Sequence, residues 1–526
     1  MPTLVATSAR SPAIIVVPRT ETSRLERWTA RLLAGPLTVC LAIFCVVVVA
    51  YWLPGRLTWP LWTDHDVFAV LAQGWDAGER PYRDRPTTNF PGPIYQAWVY
   101  GKLFGWGGAK PIYIFDTILI LGTGIACAVW SRMRLGWWLP GVSAAAILIS
   151  YHATLDFAHA AQRDGQVSAL VLLALLAVAG RERPRWSLVL SAVLVAFALV
   201  SRPQVVLLLP AFAPALGWNW RVGLAWGSLV AAFAALLFLP VIANSVFFDF
   251  MDQIRAIGDG GIYAHAKKDS HAIHWRQLST GGTAIVIFVA LLVRPKLVWP
   301  FVLLAGAWLY RPLSPFPHDY LEQPLRTTVA IAAMALLGTI LNGSLKSRWK
   351  LVGVLAFLAS TIHFAPRCCE FDNQRKVWRA LDGNIERFVP KGYTDASLPG
   401  LCIYPYHHDR QLIEYLSKQT PPETKVANLL LSPAAVNGPA GRRTPLHAES
   451  MMWIIVVGRK ETGAFARELA DAPFDSLAVW RPAEWEPIPD WAIIPDTLRR
   501  HYRHRISFGE IEVWERKPHD DSPATR

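Results

Sequence analysis

Long apolar blocks alternate with short polar connections over the first 365 residues of the chain. Most blocks have about 15–22 residues, the length that crosses a hydrocarbon core about 30 Å thick. The blocks lie near residues 36–53, 111–131, 135–151, 165–180, 186–201, 203–217, 222–243, 281–293, 297–310, 327–341 and 351–365. The pattern predicts a polytopic α-helical membrane protein with about eleven transmembrane helices over residues 36–365.

Basic residues mark the connections on one side of this predicted bundle. They form clusters at Arg24–Arg31, Arg132–Arg134, Arg181–Arg185, Arg221, Arg294–Lys296 and Lys346–Lys350. Short loops rich in Lys and Arg stay in the cytoplasm. We therefore expect a multi-pass protein of the inner (plasma) membrane, with residues 1–35 as a cytoplasmic tail and residues 54–110 as the first periplasmic loop.

The pattern changes after Ala365, where the apolar blocks stop. Residues 366–516 contain only short apolar runs between polar stretches, which predicts a soluble α/β domain on the periplasmic side. The predicted elements are a helix at Thr462–Ala472 and strands at Lys425–Leu431, Met452–Val457, Ser476–Trp480 and Glu510–Trp514. The polar residues 517–526 are expected to form a flexible tail.

Composition supports the membrane class and argues against nucleic acid as a partner. Hydrophobic residues make up 53% of the chain and charged residues 17%, against roughly 25% charged in typical soluble domains. The net charge of +13 lies mostly in the connections between apolar blocks, so it reports topology. No small-residue cleavage site follows the first apolar block, which is therefore expected to be a retained helix.

Three of the six cysteines fall in the predicted periplasmic domain. Cys402 could form a disulfide with Cys368 or Cys369 in that oxidising compartment, and the sequence leaves the pairing open. Cys40, Cys45 and Cys127 lie in apolar blocks, where a small packed side chain is the default.

Two acids stand where the first periplasmic loop enters an amphipathic segment. Asp64 and Asp66 could cap a helix and interact with its dipole. They could equally provide a general base with a supporting carboxylate, or two oxygen ligands for a divalent cation. The same loop carries Arg83 and Asp84 before a Pro- and Gly-rich stretch. Charges gathered beside a first membrane helix favour a polar site over a simple anchor.

Other polar residues interrupt the apolar pattern at later outer positions. Arg163 and Asp164 open one block, and Arg202 separates two blocks. They could be interfacial ion pairs or groups that reach the lipid headgroups, but an arginine between apolar blocks usually has a partner. His318 and Tyr320 lie in a later loop, where a structural role is an equally open alternative.

At this point the chain resembles the GT-C superfamily of membrane glycosyltransferases. The likeness rests on Asp64 after a first span, the segment Gly78–Asp84, and the run P-G-P-I-Y…K-L-F-G from Pro91 to Gly105. It includes Arg163-Asp164, the break Ser201–Gln204, and Phe316–Tyr320. The likeness is strongest to bacterial relatives of dolichyl-phosphate-mannose protein mannosyltransferases and to aminoarabinose transferases (family 39-like). The chain departs from the usual Asp-Glu pair by having His65 where Glu is common.

The resemblance implies transfer of a hexose or pentose from a polyprenyl-phosphate-sugar donor to a hydroxyl of a lipid, glycan or protein. Asp64 would then be the general base of an inverting displacement, with Asp66 supporting it, or both would hold Mg²⁺ or Mn²⁺ if a metal is used. The implied contacts with the donor phosphate or lipid are Arg83, Asp84, Arg163, Asp164, Arg202, His318 and Tyr320. A flippase for lipid-linked glycans and a non-catalytic assembly subunit remain the alternatives.

Overall fold

The computed structural model describes the chain in twelve stretches. These are residues 35–57, 63–85, 89–106, 108–155, 159–180, 184–259, 298–310, 319–342, 406–430, 434–446, 460–482 and 490–518, together with the single positions 28, 32, 87, 313 and 351. Several expectations lie outside the described residues. They concern the predicted spans 281–293 and 351–365 (apart from residue 351), the predicted strand Met452–Val457, the tail beyond residue 518, and His318, Cys368, Cys369 and Cys402.

Apolar helices dominate the first part of the described chain. In order they are α1 (Pro36–Arg56), α2 (Thr63–Asp76), α3 (Pro91–Phe104), α4 (Lys110–Leu135), α5 (Leu139–Thr154), α6 (Arg163–Val178), α7 (Arg185–Ser201), α8 (Phe212–Ala215), α9 (Trp220–Ala243), α10 (Phe247–Asp259), α11 (Trp299–Tyr310) and α12 (Gln323–Asn342). Short 3₁₀ helices at Pro203–Ala211 and Asp319–Glu322 precede α8 and α12. Helices thus occupy the predicted spans that fall within the described residues.

Within the described chain, α1, α4, α9 and α12 are long and apolar enough to cross a membrane. Only 11% of the most apolar window is buried in α1 and in α9, against 50% in α4 and 61% in α12. Helices α1 and α9 therefore expose apolar faces suited to lipid, whereas α4 and α12 pack inside the bundle. The total of eleven spans stays a prediction.

Helix α6 forms the centre of the bundle. All but two of its 16 residues are buried, and it packs against α4, α7 and α12. A helix that is apolar on all sides is stable only when neighbours surround it. The ends of the surrounding helices therefore determine what lies around Arg163 and Asp164, with which α6 begins.

Residues 406–518 contain a four-stranded sheet with helices on both faces. The elements are α13 (Tyr406–Gln419), β1 (Val426–Asn428), α14 (Ala434–Asn437), α15 (Lys460–Ala470), β2 (Leu477–Trp480), α16 (Ile493–His501), β3 (Tyr502–Phe508) and β4 (Ile511–Arg516). The strand order is β1-β2-β4-β3, with β1 parallel to β2 and the other pairs antiparallel. Three of the predicted strands and the predicted helix are observed at these places.

Alternation along the strands explains the two layers of helices. Val426 packs with Leu412 and Leu416 of α13, while its neighbour Ala427 packs with Phe465 of α15 and Leu498 of α16. Successive strand residues point to opposite faces, so both faces are apolar and both are covered.

This C-terminal unit contacts the segment that follows α2. Arg85 donates a hydrogen bond of 2.9 Å from Nη1 to the backbone oxygen of Leu446, and α14 packs against α2. The unit therefore lies at the end of the bundle where α1 ends and α4 begins, which we call the loop end.

Candidate active site

Buried polar side chains from several helices collect at the loop end. We call this group the polar layer. Its members are His65 and Asp66 in α2, Arg56 at the end of α1, Asp116 in α4, His152 in α5, Arg163, Asp164 and Gln166 in α6, Arg202 after α7, and Gln323 at the start of α12. Polar groups in an apolar interior are unfavourable unless they are paired, and in membrane proteins they commonly have a function.

Asp64 and Arg163 meet at the edge of the polar layer. Arg163 Nη2 lies 3.7 Å from Asp64 Oδ2, the separation of an ion pair without a hydrogen bond. Its Nη1 donates to Asn89 Oδ1 at 2.6 Å, and its guanidinium carbon lies 4.9 Å from the centre of the Phe68 ring. The Asp64 side chain remains 23% exposed. Two residues that the sequence marked separately therefore meet, and part of the Asp64 side chain stays open to solvent.

Asp164 and Arg202 form a second, buried ion pair. Arg202 Nε donates to Asp164 Oδ1 at 3.0 Å, and the Tyr310 hydroxyl donates to the same oxygen at 2.7 Å. Asp164 lies in the first turn of α6, where unpaired backbone N–H groups favour a negative charge. Arg202 lies at the end of α7 because Pro203 cannot continue an α-helix.

Helix α2 also carries His65 and Asp66, which are more deeply buried than Asp64. Asp66 is 0% exposed, and the Nε2 of His65 lies 2.9 Å from the backbone oxygen of Ala161. Burial lowers the pKa of His65 below its usual value of 6.5, and the hydrogen bond to Ala161 opposes this effect only partly. A neutral imidazole at pH 7 therefore donates its Nε2–H to Ala161. Of the two acids, Asp64 is the one that an acceptor hydroxyl could reach.

Reasoning from the sequence missed a further pair, Arg56 and Asp116. Arg56 Nη1 lies 3.4 Å from Asp116 Oδ2, and the same guanidinium donates to the backbone oxygen of His152. The other carboxylate oxygen of Asp116, Oδ1, is buried and has no hydrogen-bond partner within the described chain. The sequence did contain a signal for this pair: Asp116 lies inside an apolar block, and an acid in such a block generally has a partner.

His152 and Gln323 add hydrogen-bonding atoms that no described residue satisfies. Both ring nitrogens of His152 and Oε1 of Gln323 lack a partner within the described chain. The Nε2 of Gln323 donates to the His159 backbone oxygen at 2.6 Å. Buried polar atoms of this kind are normally satisfied by water or by a ligand. They give the polar layer capacity to bind a hydroxyl or a water molecule.

The other residues predicted as donor contacts have different surroundings. Arg83 donates to Asp249 of α10 at 2.8 Å, and Asp84 accepts from Arg80 at 3.1 Å. Both pairs are partly exposed and lie outside the polar layer: the first joins the loop after α2 to α10, and the second lies within that loop. Tyr320 lies in the 3₁₀ helix Asp319–Glu322, and its side chain, like all of His318, lies outside the described part.

Metal binding by Asp64 and Asp66 depends on where the two carboxylates point. Residues two apart on a helix do not face each other. The only ion pair described for Asp64 is with Arg163. Among the described residues there is no group of three or more His, Cys, Asp or Glu side chains suited to a metal ion.

In the described residues, Cys40, Cys45 and Cys127 are free thiols.

Comparison with known proteins gives structural relatives but no sequence relatives. No protein-family profile matches the chain, and no curated protein matches it. The crystal structure of ArnT from Cupriavidus metallidurans in the apo state is similar with a TM-score of 0.54 and 12% identity, covering 90% of this chain and 97% of that chain. The structure of the same protein bound to undecaprenyl phosphate has a TM-score of 0.53, 14% identity and the same coverage. The chain thus shares the fold of ArnT, an aminoarabinose transferase of the GT-C superfamily, as the resemblance in the sequence predicted.

Proposed function

We propose that this protein is a membrane glycosyltransferase that moves a sugar from a polyprenyl-phosphate donor to an acceptor hydroxyl at the periplasmic face. The contact of Asp64 with Arg163, beside the buried pair of Asp164 and Arg202, carries the proposal. A reachable carboxylate and two cations at one end of an apolar bundle are the groups that this reaction needs. The undecaprenyl phosphate bound to one structure of this fold supports a polyprenyl carrier.

Asp64 is the proposed general base. It accepts the proton of the acceptor hydroxyl while the hydroxyl oxygen attacks the anomeric carbon of the donor sugar. The bond from that carbon to the phosphate oxygen breaks, and the carrier phosphate leaves with the electron pair. Because the attack and the departure occur on opposite sides, the displacement inverts the anomeric centre.

Arg163 and Arg202 are the proposed phosphate-binding groups. Charge grows on the leaving phosphate, and cations positioned beforehand stabilise that charge. Arg163 contacts Asp64 at 3.7 Å, which is longer than a hydrogen bond, and the Asp64 side chain is 23% exposed, so a phosphate oxygen can replace that contact. Arg202 is held by Asp164, which keeps its guanidinium inside the bundle without substrate. A metal is not needed for this scheme, and a bound Mg²⁺ or Mn²⁺ would share the phosphate charge.

The periplasmic location is part of the proposal and has two supports. The basic connections on the other side of the bundle follow the rule for cytoplasmic loops. The C-terminal unit contacts Arg85 and α2, so it lies on the same side as the candidate base. That arrangement supports a role for the unit in binding the acceptor.

Replacement of Asp64 tests the proposed reaction. Membranes containing the protein are incubated with radiolabelled undecaprenyl-phosphate donors of several sugars, and label transferred to acceptor or released to water is measured. We expect D64N to lower the rate of transfer by at least about 100-fold, because the base is lost. D252N removes an exposed acid that pairs only with its neighbour Arg255 among the described residues, and it should keep the wild-type rate.

Three results would contradict the proposal. Full turnover by D64N would exclude Asp64 as the base. Movement of a lipid-linked glycan across the membrane without covalent transfer would identify a flippase. Failure of the wild type to transfer or release any sugar, with carrier binding absent, would favour the assembly subunit.

A further inference from the structure

A single strained residue precedes the helix that carries the candidate phosphate-binding groups. Ala161 has φ of +58°, and Gln162 caps the N-terminus of α6 directly before Arg163 and Asp164. A left-handed backbone conformation costs about 1–2 kcal/mol for a residue with a side chain. Such a conformation persists only where the surrounding structure holds it.

One side chain from a neighbouring helix holds this residue. His65 of α2 donates to the Ala161 backbone oxygen at 2.9 Å. Ala161 is 2% exposed and His65 6%. The backbone oxygen of this buried residue is therefore bound by a side chain rather than by secondary structure.

The same contact connects the proposed base to its proposed cation. His65 follows Asp64 in α2, so its bond to Ala161 ties that helix to the start of α6. We infer that His65 is a positioning residue, which clamps the Ala161 backbone and thereby sets the separation of Asp64 from Arg163. This inference rests on the proposed function.

The clamp gives a physical reason for histidine at position 65. A neutral imidazole donates a hydrogen bond to a carbonyl oxygen, whereas an ionised glutamate only accepts. A glutamate here would face the Ala161 oxygen with another acceptor. A buried carbonyl left without a donor is unfavourable by about 1–3 kcal/mol. The departure from the Asp-Glu pair thus matches the local need for a donor.

Two variants that differ by one methylene separate positioning from general stability. In H65Q the amide nitrogen occupies nearly the place of the imidazole Nε2, so it can still donate to Ala161. In H65N the side chain is shorter by about 1.5 Å, so the amide nitrogen cannot reach the Ala161 backbone oxygen. A misplacement of about 1 Å can lower a rate by as much as 100-fold. We expect kcat to fall at least tenfold in H65N and to stay within threefold of wild type in H65Q, with KM little changed in both.

The control variant removes a different buried hydrogen bond. Ser191→Ala takes the acceptor from Trp226 Nε1, 3.1 Å away within the bundle. S191A should lower thermal stability without changing kcat. An equal loss of kcat in H65N and S191A, or equal rates in H65N and H65Q, would overturn the inference.

Hydrogen exchange tests the clamp without any assay of transfer. The amides of residues 159–166 should exchange about tenfold faster in H65N than in H65Q, while exchange in α9 stays unchanged. Equal exchange in the two variants would overturn the clamp even if transfer is confirmed. If the wild type transfers no sugar but H65N alone loosens residues 159–166, the proposed function fails and the clamp stands as a structural contact.

Discussion

At the scale of single residues, Asp164 keeps a positive charge inside an apolar bundle. Arg202 is 6% exposed and Asp164 0%, and one carboxylate oxygen accepts from both Arg202 and Tyr310. Transfer of either charge alone from water into the protein would be strongly unfavourable. Removing one partner of such a buried pair is therefore more damaging than removing an exposed pair.

Replacement of Asp164 tests this difference between buried and exposed ion pairs. D164N keeps the shape of the side chain but removes the negative charge that Arg202 Nε contacts at 3.0 Å, so we expect unfolding to become easier by roughly 3–5 kcal/mol. D496N breaks an exposed pair with Arg499 and should change stability by less than about 1 kcal/mol. Unfolding of the purified proteins in detergent, followed by circular dichroism, measures both effects. Equal losses in the two variants would show that the Asp164 pair is not buried in solution.

Sequence reasoning marked single residues of the candidate site better than their partners. Arg163, Asp164 and Arg202 stand at the ends of apolar blocks, where a charge is conspicuous, and Asp64 stands in the polar loop after the first block. Their pairing depends on how helices far apart in the chain pack, and no local pattern encodes that packing. Ala161 gave no signal at all, because alanine rarely adopts positive φ and only its surroundings impose it here.

At the scale of elements, the apolar pattern located the helices but not their type. Residues 203–217 had the composition of a span, yet they form a 3₁₀ helix at Pro203–Ala211 and the single turn α8. Pro210 lies inside this segment and removes an N–H donor that a continuous α-helix would use, whereas Pro203 at its start ends α7. A hydropathy pattern does not show that a backbone N–H donor is missing. The break places Arg202 beside α6.

Helix α3 approaches the end of α7 closely beside this break. A Cβ added to Gly92 of α3 would lie 2.8 Å from the Cα of Ser201, which is backbone and cannot move aside. Ser201 immediately precedes Arg202. Glycine at position 92 is thus required for α3 to contact the end of α7.

Substitution of Gly92 should therefore disturb both packing and the site. We expect G92A to lower thermal stability and to slow transfer, because α3 must move away from the backbone before Arg202. The matched control is G223A in α9, where an added Cβ meets nothing within 4 Å. Alanine is favoured over glycine in a helix by about 1 kcal/mol, so G223A should be neutral or stabilising. A stable and fully active G92A protein would refute the close approach.

At the scale of the whole molecule, the C-terminal unit and the bundle meet through the segment after α2. Short apolar runs in the sequence predicted three strands that the structure contains, because such a run is a local pattern. The contact between the two parts was not predictable. Arg85 looked like one charge among several in a solvated loop, and its acceptor is the backbone oxygen of Leu446, which has no sequence signature.

Arg85 is well suited to hold the two parts together. It is 8% exposed, and Glu79 orients its guanidinium through a bond of 2.7 Å from Nη2 to Oε1. A hydrogen bond from a charged donor contributes about 1.5–3 kcal/mol. Loss of that bond should loosen the contact on the side of the C-terminal unit. The neighbouring Arg80 offers a matched control, since it is exposed and pairs with Asp84 in its own loop.

We therefore expect R85M to raise hydrogen exchange in residues 441–446 about tenfold and to leave exchange in β2 and β4 unchanged. R80M should leave both regions as in the wild type. Faster exchange throughout the sheet would mean that Arg85 stabilises the unit itself. Unchanged exchange at 441–446 in R85M would show that other contacts, such as the packing of α14 on α2, hold the unit against the bundle. If R85M also slows transfer while D252N does not, the position of the C-terminal unit bears on the reaction.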